Sequence, residues 1–424
     1  MNIAILGYGV EGESVFNYYH AKYPSASFAV YDNNEKPKNP LPGGVRFIGG
    51  VADFKGIEAD VAIKTPSIPP WEVEVTGEVT TMTREFLREC PAPVIGVTGT
   101  KGKGTTSSLI KSILEAAGKK VWLVGNIGIG AFDVLGQIQP EDIVVYELSS
   151  FQLWELDVSP HIAVVLGIEP EHLDVHKDLA DYIGAKANIA KHQKPEDSLI
   201  YKIGNEYVES IANQSAAAKI PYPSNAAAHV SGGMFYYGEQ QLCSVEVMKI
   251  PGVHNQDNAC AAIAAAWPWV HDSETIAKGL ATFEGLPYRI ELIRTLNDVS
   301  YYNDSYSTAP AATDVALKAV ARPTILIVGG FDRGYNYSEM AAVIASHPEI
   351  KKTLLMGQVS AKVAEHLVQG SYEQFNDFDA VISRASALAM AGDAVLFSPG
   401  FASFDMFTNF TDRGKRFTEA VGLL

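Results

Sequence analysis

Cysteine is scarce in this chain. Cys90, Cys243 and Cys260 are scattered, odd in number and without a Cys-x-x-Cys, which excludes a disulfide framework and a zinc ribbon. Basic charge is in deficit as well, with 33 Lys and Arg against 49 Asp and Glu and a net charge of −16. That balance excludes nucleic acid and anionic lipid as bulk partners. A phosphorylated substrate would have to be held by local amides, metal ions and a few cations. No apolar run approaches the length needed to cross a bilayer. The opening Met1–Gly7 has no basic n-region and meets glycine after a short apolar run, so it reads as a strand rather than a signal peptide. Repeats and long charge blocks are missing too. The expectation is a reduced, soluble, cytoplasmic protein with no membrane insertion, and nothing in it demands an oligomer, so a monomer is expected.

What is present points to an enzyme of several domains. The 424 residues exceed one ordinary core, and 47% apolar with 19% charged residues is a globular composition. Apolar runs bounded by Gly, Pro or Asp alternate with helical stretches, the pattern of βαβ units in an α/β fold with mainly parallel sheets. One series runs from Asn2 to about Cys90, and Pro91-Ala92-Pro93 forms a linker. A second opens at Val94, and a third begins near Leu296, with buried-strand runs at Thr324–Gly330 and Ala394–Phe397. Between Asn213 and Gly233 an Ala/Ser/Pro/Gly-rich patch predicts loop and short strands. The expected domains are residues 1–91, 92–295 and 296–424: a Rossmann-like N-terminal domain, a P-loop-type central ATPase domain and a Rossmann-like C-terminal domain.

Two glycine-rich turns carry chemistry. After the strand at Val94, the segment Gly99-Thr100-Lys101-Gly102-Lys103-Gly104-Thr105 opens a helix. Glycines let amides close around phosphate oxygens, the helix start adds partial positive charge, and Lys103 would reach the β- and γ-phosphates. The spacing is shorter than a standard P-loop, because Val97 stands where its first glycine is required. Gly104 follows the lysine where a Mg²⁺-binding hydroxyl is usual, so Thr105 becomes the candidate. The bland alternative is a Gly/Thr-rich turn that binds nothing. The other turn, Gly7-Tyr8-Gly9-Val10-Glu11-Gly12 with Asp32 closing the next strand, read alone suggests a dinucleotide site.

The phosphate loop resembles that of the Mur ligase superfamily. So do Gly125-Asn126-Ile127-Gly128, Glu147–Leu153, Glu171–His176, Gly252–Asn258 and Gly285–Arg289, in the family's order. The resemblance implies ATP-dependent ligation through an acyl phosphate, with ATP and two Mg²⁺ ions as cofactors. Glu147 and His172 would hold Mg²⁺ together with Thr105. Lys186 would be carbamylated by CO₂ and join them, although spacing alone makes it an ordinary surface lysine. Asn255 would lie near the adenine and Arg289 on phosphate or ribose. Gly167 stands in place of an Asn, Glu171 in place of Asp and Tyr288 in place of His.

In the glutamate-adding branch the first glycine turn takes the substrate's UDP. This gives Gly9, Val10 and Glu11 to the nucleotide, Asp32 and Asn33 to the uracil, and Ser67, in Lys64–Pro70, to the pyrophosphate, with Asn126 contributing. The C-terminal third also resembles that branch. Tyr302–Thr308 places Asp304 on the nucleotide, and Gly329–Gly334 puts the Arg333 fork on the amino acid's α-carboxylate. Ser398–Phe407, through Ser403, completes a pocket with Thr308 and the backbone around Phe410. Tyr306 stands where some members have lysine. The implied reaction joins glutamate to UDP-N-acetylmuramoyl-L-alanine in peptidoglycan precursor synthesis. Other readings are a folylpolyglutamate-type or L-glutamate-adding ligase, a nicotinamide oxidoreductase resting on Gly7–Gly12 alone, and a non-catalytic nucleotide-binding relative.

Overall fold

A computed structural model describes residues 1–37, 39–334 and 336–424. Its contacts divide the chain into two compact units, Met1–Met248 with Val253–Phe283, and Lys249–Gly252 with Glu284–Leu424.

In the first unit, short apolar runs form β1 (Asn2–Leu6), β2 (Ser27–Tyr31), β3 (Arg46–Ile48), β4 (Phe54–Ile57), β5 (Val61–Lys64), β6 (Val73–Val75) and β7 (Glu78–Thr81). Five of them make a parallel sheet in the order β3-β2-β1-β5-β7, while β4 and β6 pair separately. Helix α1 (Val10–Lys22) follows the first glycine turn, and α2 (Met82–Glu89) follows β7 with the Thr81 side chain accepting the Arg84 amide as its N-cap.

The second sheet is also parallel, in the order β13-β12-β11-β8-β10-β9. It comprises β8 (Val94–Thr98), β9 (Val121–Gly125), β10 (Ile143–Glu147), β11 (Ile162–Val165), β12 (Ser198–Lys202) and β13 (Ala218–Tyr222). Helices α3 (Lys103–Ala116), α4 (Ala131–Val134), α5 (Leu179–Lys191) and α6 (Glu206–Gln214) are followed by α7 (Val253–Ala266) and α8 (Ser273–Thr282). Both α7 and α8 pack on α3. Gly279 permits the α8 approach, since a Cβ there would come within 2.5 Å of the Ile113 backbone. The patch expected as loop and short strands holds β13 and β14 (Ala228–Ser231), and β14 forms a small antiparallel sheet with β15 (Met234–Tyr237) and β16 (Gln240–Ser244).

One apolar core runs through both parallel sheets of this unit. Phe86 of α2 is fully buried and meets Tyr146 of β10 edge-on at 5.1 Å, a burial that contributes about 2–3 kcal/mol. Polar ties supplement it: Lys64 with Glu155 at 2.7 Å, Arg84 with Asp157 at 2.8 Å and Ser14 with Asp133 at 2.5 Å. Ala92, inside the expected linker, is 2% exposed and belongs to that core.

The second unit is built on β17 (Glu291–Leu296), β18 (Val299–Asn303), β19 (Thr324–Gly329), β20 (Ile350–Met356), β21 (Tyr372–Phe375) and β22 (Ala394–Phe397), in the order β17-β18-β22-β19-β20-β21. Only β17 and β18 are antiparallel. Asn297 and Asp298 both have positive φ, 52° and 63°, as a two-residue hairpin requires. That turn makes β17 the partner of β18, so this sheet begins at Glu291, before the boundary expected at 296. Along β19, Ile325 and Ile327 face α12 (Phe378–Leu388) and α13 (Phe410–Gly422). Leu326 and Val328 face α9 (Pro310–Val320), α10 (Tyr337–Ser346) and α11 (Ser360–Ala364). The strand is buried on both faces and reads as continuous hydrophobicity.

On the α9 face, buried His347 bridges Asp314 at 2.9 Å and Glu349 at 2.7 Å. Burial opposes the imidazolium, but the bonds to Asp314 and Glu349 outweigh it and raise the His347 pKa above the ordinary value. An unfolded histidine titrates near about 6.5. The stabilisation is therefore complete below that pH and fades as pH rises through the higher folded value. His347→Gln should lower the melting temperature more at about pH 6 than at about pH 9; an equal loss at both would refute the linkage.

Candidate active site

β8 lies where the strand order reverses, with β10 on one side and β11 on the other, and ligands of α/β sheets bind at such points. The turn after β8 needs its glycines. Gly99 has φ +154° and a Cβ there would lie 2.6 Å from Leu166, while Gly102, at φ +86°, would meet Asn258 Oδ1 at 2.4 Å. α3 begins at Lys103 with Gly102 as N-cap and no capping side chain, so no side chain covers its first amides, the groups that bind anions at helix starts. Lys103 donates to the carbonyls of Gly99 at 3.1 Å and Thr100 at 3.0 Å. The Thr100 hydroxyl accepts the Glu169 amide at 2.9 Å and lies 2.9 Å from Tyr182 Oη. Lys101 is exposed and pairs with Glu171. Gly104 is buried and Thr105 half-buried in the first turn of α3. Asn258 bonds both Thr106, at 3.3 Å, and Asn255, at 3.2 Å; sequence reading quoted it within a longer motif and gave it no role.

Lys186 donates to the Gly99 carbonyl at 2.9 Å and lies over the Tyr182 ring at 4.8 Å. It is 2% exposed, which corrects its reading from spacing as a surface lysine. Tyr182, Ala185, Lys186 and Ile189 form one buried stripe of α5, and the stripe carries the lysine under the turn after β8. Burial, and then the charge of Lys103, push the Lys186 pKa well below its ordinary value, which favours a neutral amine. Glu147 is buried at the end of β10, in register with Val97 and Gly125. His172 has a left-handed backbone, φ +58°, and its carbonyl accepts the amides of Val175 at 3.1 Å and His176 at 2.9 Å. Burial is the main reason its imidazole titrates below the ordinary value; Glu171 works against this, and Lys103 and Lys186 with it. His176 closes the Glu171–His176 motif, where sequence reading assigned it no role. It is buried between Ser150 Oγ at 2.9 Å and Asp181 at 2.8 Å, and so ties the segment after Glu147 to the turn carrying His172. Ser150 is 1% exposed, so this Ser-His-Asp set is positional, without an accessible nucleophile. The departure at Gly167 costs no room, because a Cβ there would meet only Lys202 at 3.7 Å.

The first glycine turn is similarly pinned. Gly12 lets α1 close on the turn, since a Cβ would strike the Gly7 carbonyl at 2.0 Å. Asp32 accepts the Tyr8 amide at 2.5 Å and two Asn34 donors at 2.8 and 2.6 Å, so its carboxylate is committed to fixing the turn. Gly9 is an N-cap without a side-chain bond, and Val10 is exposed. Burial raises the pKa of Glu11, which bonds Gln152 at 3.2 Å. Asn33 donates to the Val51 carbonyl at 2.8 Å, while Ser67 and Asn126 are exposed on loops.

In the second unit, Asp304 is buried. It accepts Ser398 Oγ at 2.6 Å and the Ile290 amide at 3.2 Å, and burial lifts its pKa to about 6. Arg289 sits between two residues of positive φ, Tyr288 at 64° and Ile290 at 50°. Thr308 and Arg333 are exposed, and Arg333 lies 5.5 Å from the Phe404 ring. Phe331 bridges to Ala402, which sets the Arg333 loop beside buried Ser403. The residue most clearly missed by sequence reading is Arg413. It is fully buried on α13 and donates to Ser305 Oγ at 3.0 Å, the Ser305 carbonyl at 2.8 Å and the Phe401 carbonyl at 2.9 Å. The Ser305 hydroxyl in turn donates to the Phe410 carbonyl at 2.9 Å. Arg413 thus joins the Asp304, Ser403 and Phe410 segments.

The Mur ligase middle domain matches residues 97–266, and the Mur ligase, glutamate ligase domain matches residues 288–401. Among solved structures, UDP-N-acetylmuramate–alanine ligase MurC from Thermotoga maritima superposes with a TM-score of 0.62 at 16% identity, covering 100% of this chain and 99% of that one. Among curated proteins, UDP-N-acetylmuramoylalanine–D-glutamate ligase of Clostridium kluyveri is 35% identical over 91% of this chain and 87% of its own length. Its counterpart from Acetivibrio thermocellus is 34% identical over 99% and 96%. The chain belongs to the Mur ligase family, in the branch of the UDP-N-acetylmuramoylalanine–D-glutamate ligases.

Proposed function

We propose that this chain uses ATP to join D-glutamate to the L-alanine carboxyl group of UDP-N-acetylmuramoyl-L-alanine, a cytoplasmic step of peptidoglycan precursor synthesis. The observation that carries the reading is the glycine-pinned turn after β8, where Lys103 bonds the Gly99 and Thr100 carbonyls at an uncapped helix start. It sets an ammonium group and open amides where the β- and γ-phosphates of a bound nucleotide would lie. The substrate carboxylate attacks the γ-phosphorus and ADP leaves. The glutamate amine then attacks the acyl-phosphate carbon, phosphate departs, and the amine loses its proton as the amide forms.

Residues 1–91 take the UDP through the amides at Gly9 and Val10, with Glu11, Asn33, Ser67 and Asn126 around it and Asp32 holding the turn. Residues 92–295 bind ATP through Gly99–Thr105 and Asn255, and Arg289 and Asp304 complete the nucleotide contacts. Residues 296–424 bind the amino acid through Arg333, Thr308, Ser403 and the backbone at Phe410. The donors fit Mg²⁺. Among the described residues no group of three or more His, Cys, Asp or Glu could hold a metal ion alone, and Mg²⁺ ordinarily takes one or two carboxylates and completes its shell with phosphate oxygens and water. Glu147, His172, Thr105 and a carbamylated Lys186 are the residues that would hold it, and when bound it neutralises charge on the phosphates. Low ammonium character at Lys186 supports carbamylation, since CO₂ adds to the neutral amine. Among the described residues no helix is long and apolar enough to cross a membrane, and we take the working form to be a monomer.

Phosphate release from ATP tests the assignment directly. It should require both UDP-N-acetylmuramoyl-L-alanine and D-glutamate, with L-glutamate a poor substitute. No release under any combination would overturn the reading and favour a folylpolyglutamate-type ligase or a non-catalytic relative.

A further inference from the structure

We propose that Tyr306 is a positioning residue that holds Arg289 ready for the nucleotide and links it to the amino-acid pocket. The inference rests on the reading of Arg289 as a nucleotide contact. The Arg289 guanidinium lies 3.5 Å from the centre of the Tyr306 ring, a face-on stack. The backbone beneath it is pinned as well. Tyr306 donates its amide to the Tyr288 carbonyl at 3.0 Å, the Ile290 amide bonds Asp304 at 3.2 Å, and Arg289 donates to the Leu286 carbonyl at 3.2 Å. Positive φ on both flanks of Arg289 makes this turn one that would relax without such ties. A long arginine side chain loses conformational freedom when it grips a phosphate, and a ring that already holds it reduces that loss. Tyr306 also meets the Phe410 ring edge-on at 5.1 Å. Phe410 opens α13, and its carbonyl accepts the Ser305 hydroxyl. A single ring therefore touches both the nucleotide cation and the edge of the amino-acid pocket. The Tyr306 side chain is exposed enough, at 44%, to be replaced without opening a core.

The test measures KM for each substrate and, independently of turnover, the Kd of the full chain for a non-hydrolysable ATP analogue by calorimetry. Tyr306→Leu should weaken the analogue and raise KM for ATP by about three- to ten-fold, the range for losing a cation–π contact. KM for the UDP substrate and the melting temperature should stay put. Tyr306→Phe keeps the ring and should restore ATP binding to within about two-fold of the parent. Tyr306→Lys sets a like charge beside Arg289 and should be at least as weak as the leucine variant. Arg289→Met serves as the control for the underlying reading. If it leaves the Kd unchanged, Arg289 does not bind nucleotide and the proposal falls with that reading. If Arg289→Met weakens binding while Tyr306→Leu does not, the nucleotide reading stands and Tyr306 has no positioning role.

Discussion

Lys186→Met is expected to lower kcat by on the order of 10²–10³-fold, as removal of one group that stabilises developing charge does elsewhere, while moving stability by less than about 2 kcal/mol. The two effects separate because the ammonium is badly placed for folding. It is buried, it faces the charge of Lys103, and its hydrogen bonds are one to the Gly99 carbonyl and a long one, 3.5 Å, to Thr98 Oγ1. Methionine fills nearly the same volume without a charge to desolvate. The pH dependence gives a second readout. An unfolded lysine keeps its proton to about pH 10.4, whereas the buried amine releases it earlier. Across that window the unfolded chain binds the extra proton, so the unmodified lysine's contribution to stability rises with pH. The stability difference between parent and variant should therefore change in the parent's favour as pH rises. Thermal melts and phosphate release on the same preparations decide the matter. A variant that melts early yet keeps its kcat would make Lys186 a structural residue.

Arg413→Met is expected to act the other way, through stability first. Three acceptors, Ser305 Oγ, the Ser305 carbonyl and the Phe401 carbonyl, lose their donors in a fully buried setting. Leaving buried polar groups unpaired costs about 1–3 kcal/mol each, so a net loss of about 3–5 kcal/mol follows even if the site partly relaxes. For a unit of this size the melting temperature should fall by on the order of 10 °C. Burial lowers the arginine's pKa to about 10, with Asp405 and Asp304 opposing, so the group is charged at neutral pH and the loss is of a cation as well as of three bonds. Arg413→Lys cannot reproduce the planar fork and should recover only a minor part. A melting temperature within about 2 °C of the parent would show that these loops hold without it.

The α/β layout was legible because strands such as Val94–Thr98, Ile143–Glu147 and Thr324–Gly329 are continuous apolar runs, and runs buried on both faces leave little ambiguity of period. Hairpin β17–β18 was harder, since the Asn297-Asp298 turn sits just where a boundary was drawn. The turn after β8 and the place of Glu147 at the end of β10 could be read from local order. Lys186 lies on a buried stripe with Tyr182, Ala185 and Ile189, but its charge argued for the surface. Arg413 hid for the same reason, on a stripe with Gly414, Phe417 and Val421. Sequence patterning assigns polar residues to water, and it misses those whose partners lie a hundred residues away, as Ser305 does from Arg413. Family membership also removes the oxidoreductase reading of Gly7–Gly12, which a single glycine turn could never have decided.

The continuous core between the first two sheets bears on recombination. A chimera cut at Pro91-Ala92-Pro93 would join two half-interfaces rather than two modules. Donor and recipient would have to agree at Phe86 and Tyr146 and at the partners of Lys64, Arg84 and Ser14. A graft that brings Lys64 without Glu155 leaves an ammonium sealed in the join. Productive crossover points in this branch therefore belong elsewhere, and substrate-binding segments are expected to be inherited together with the ATPase scaffold that seats them.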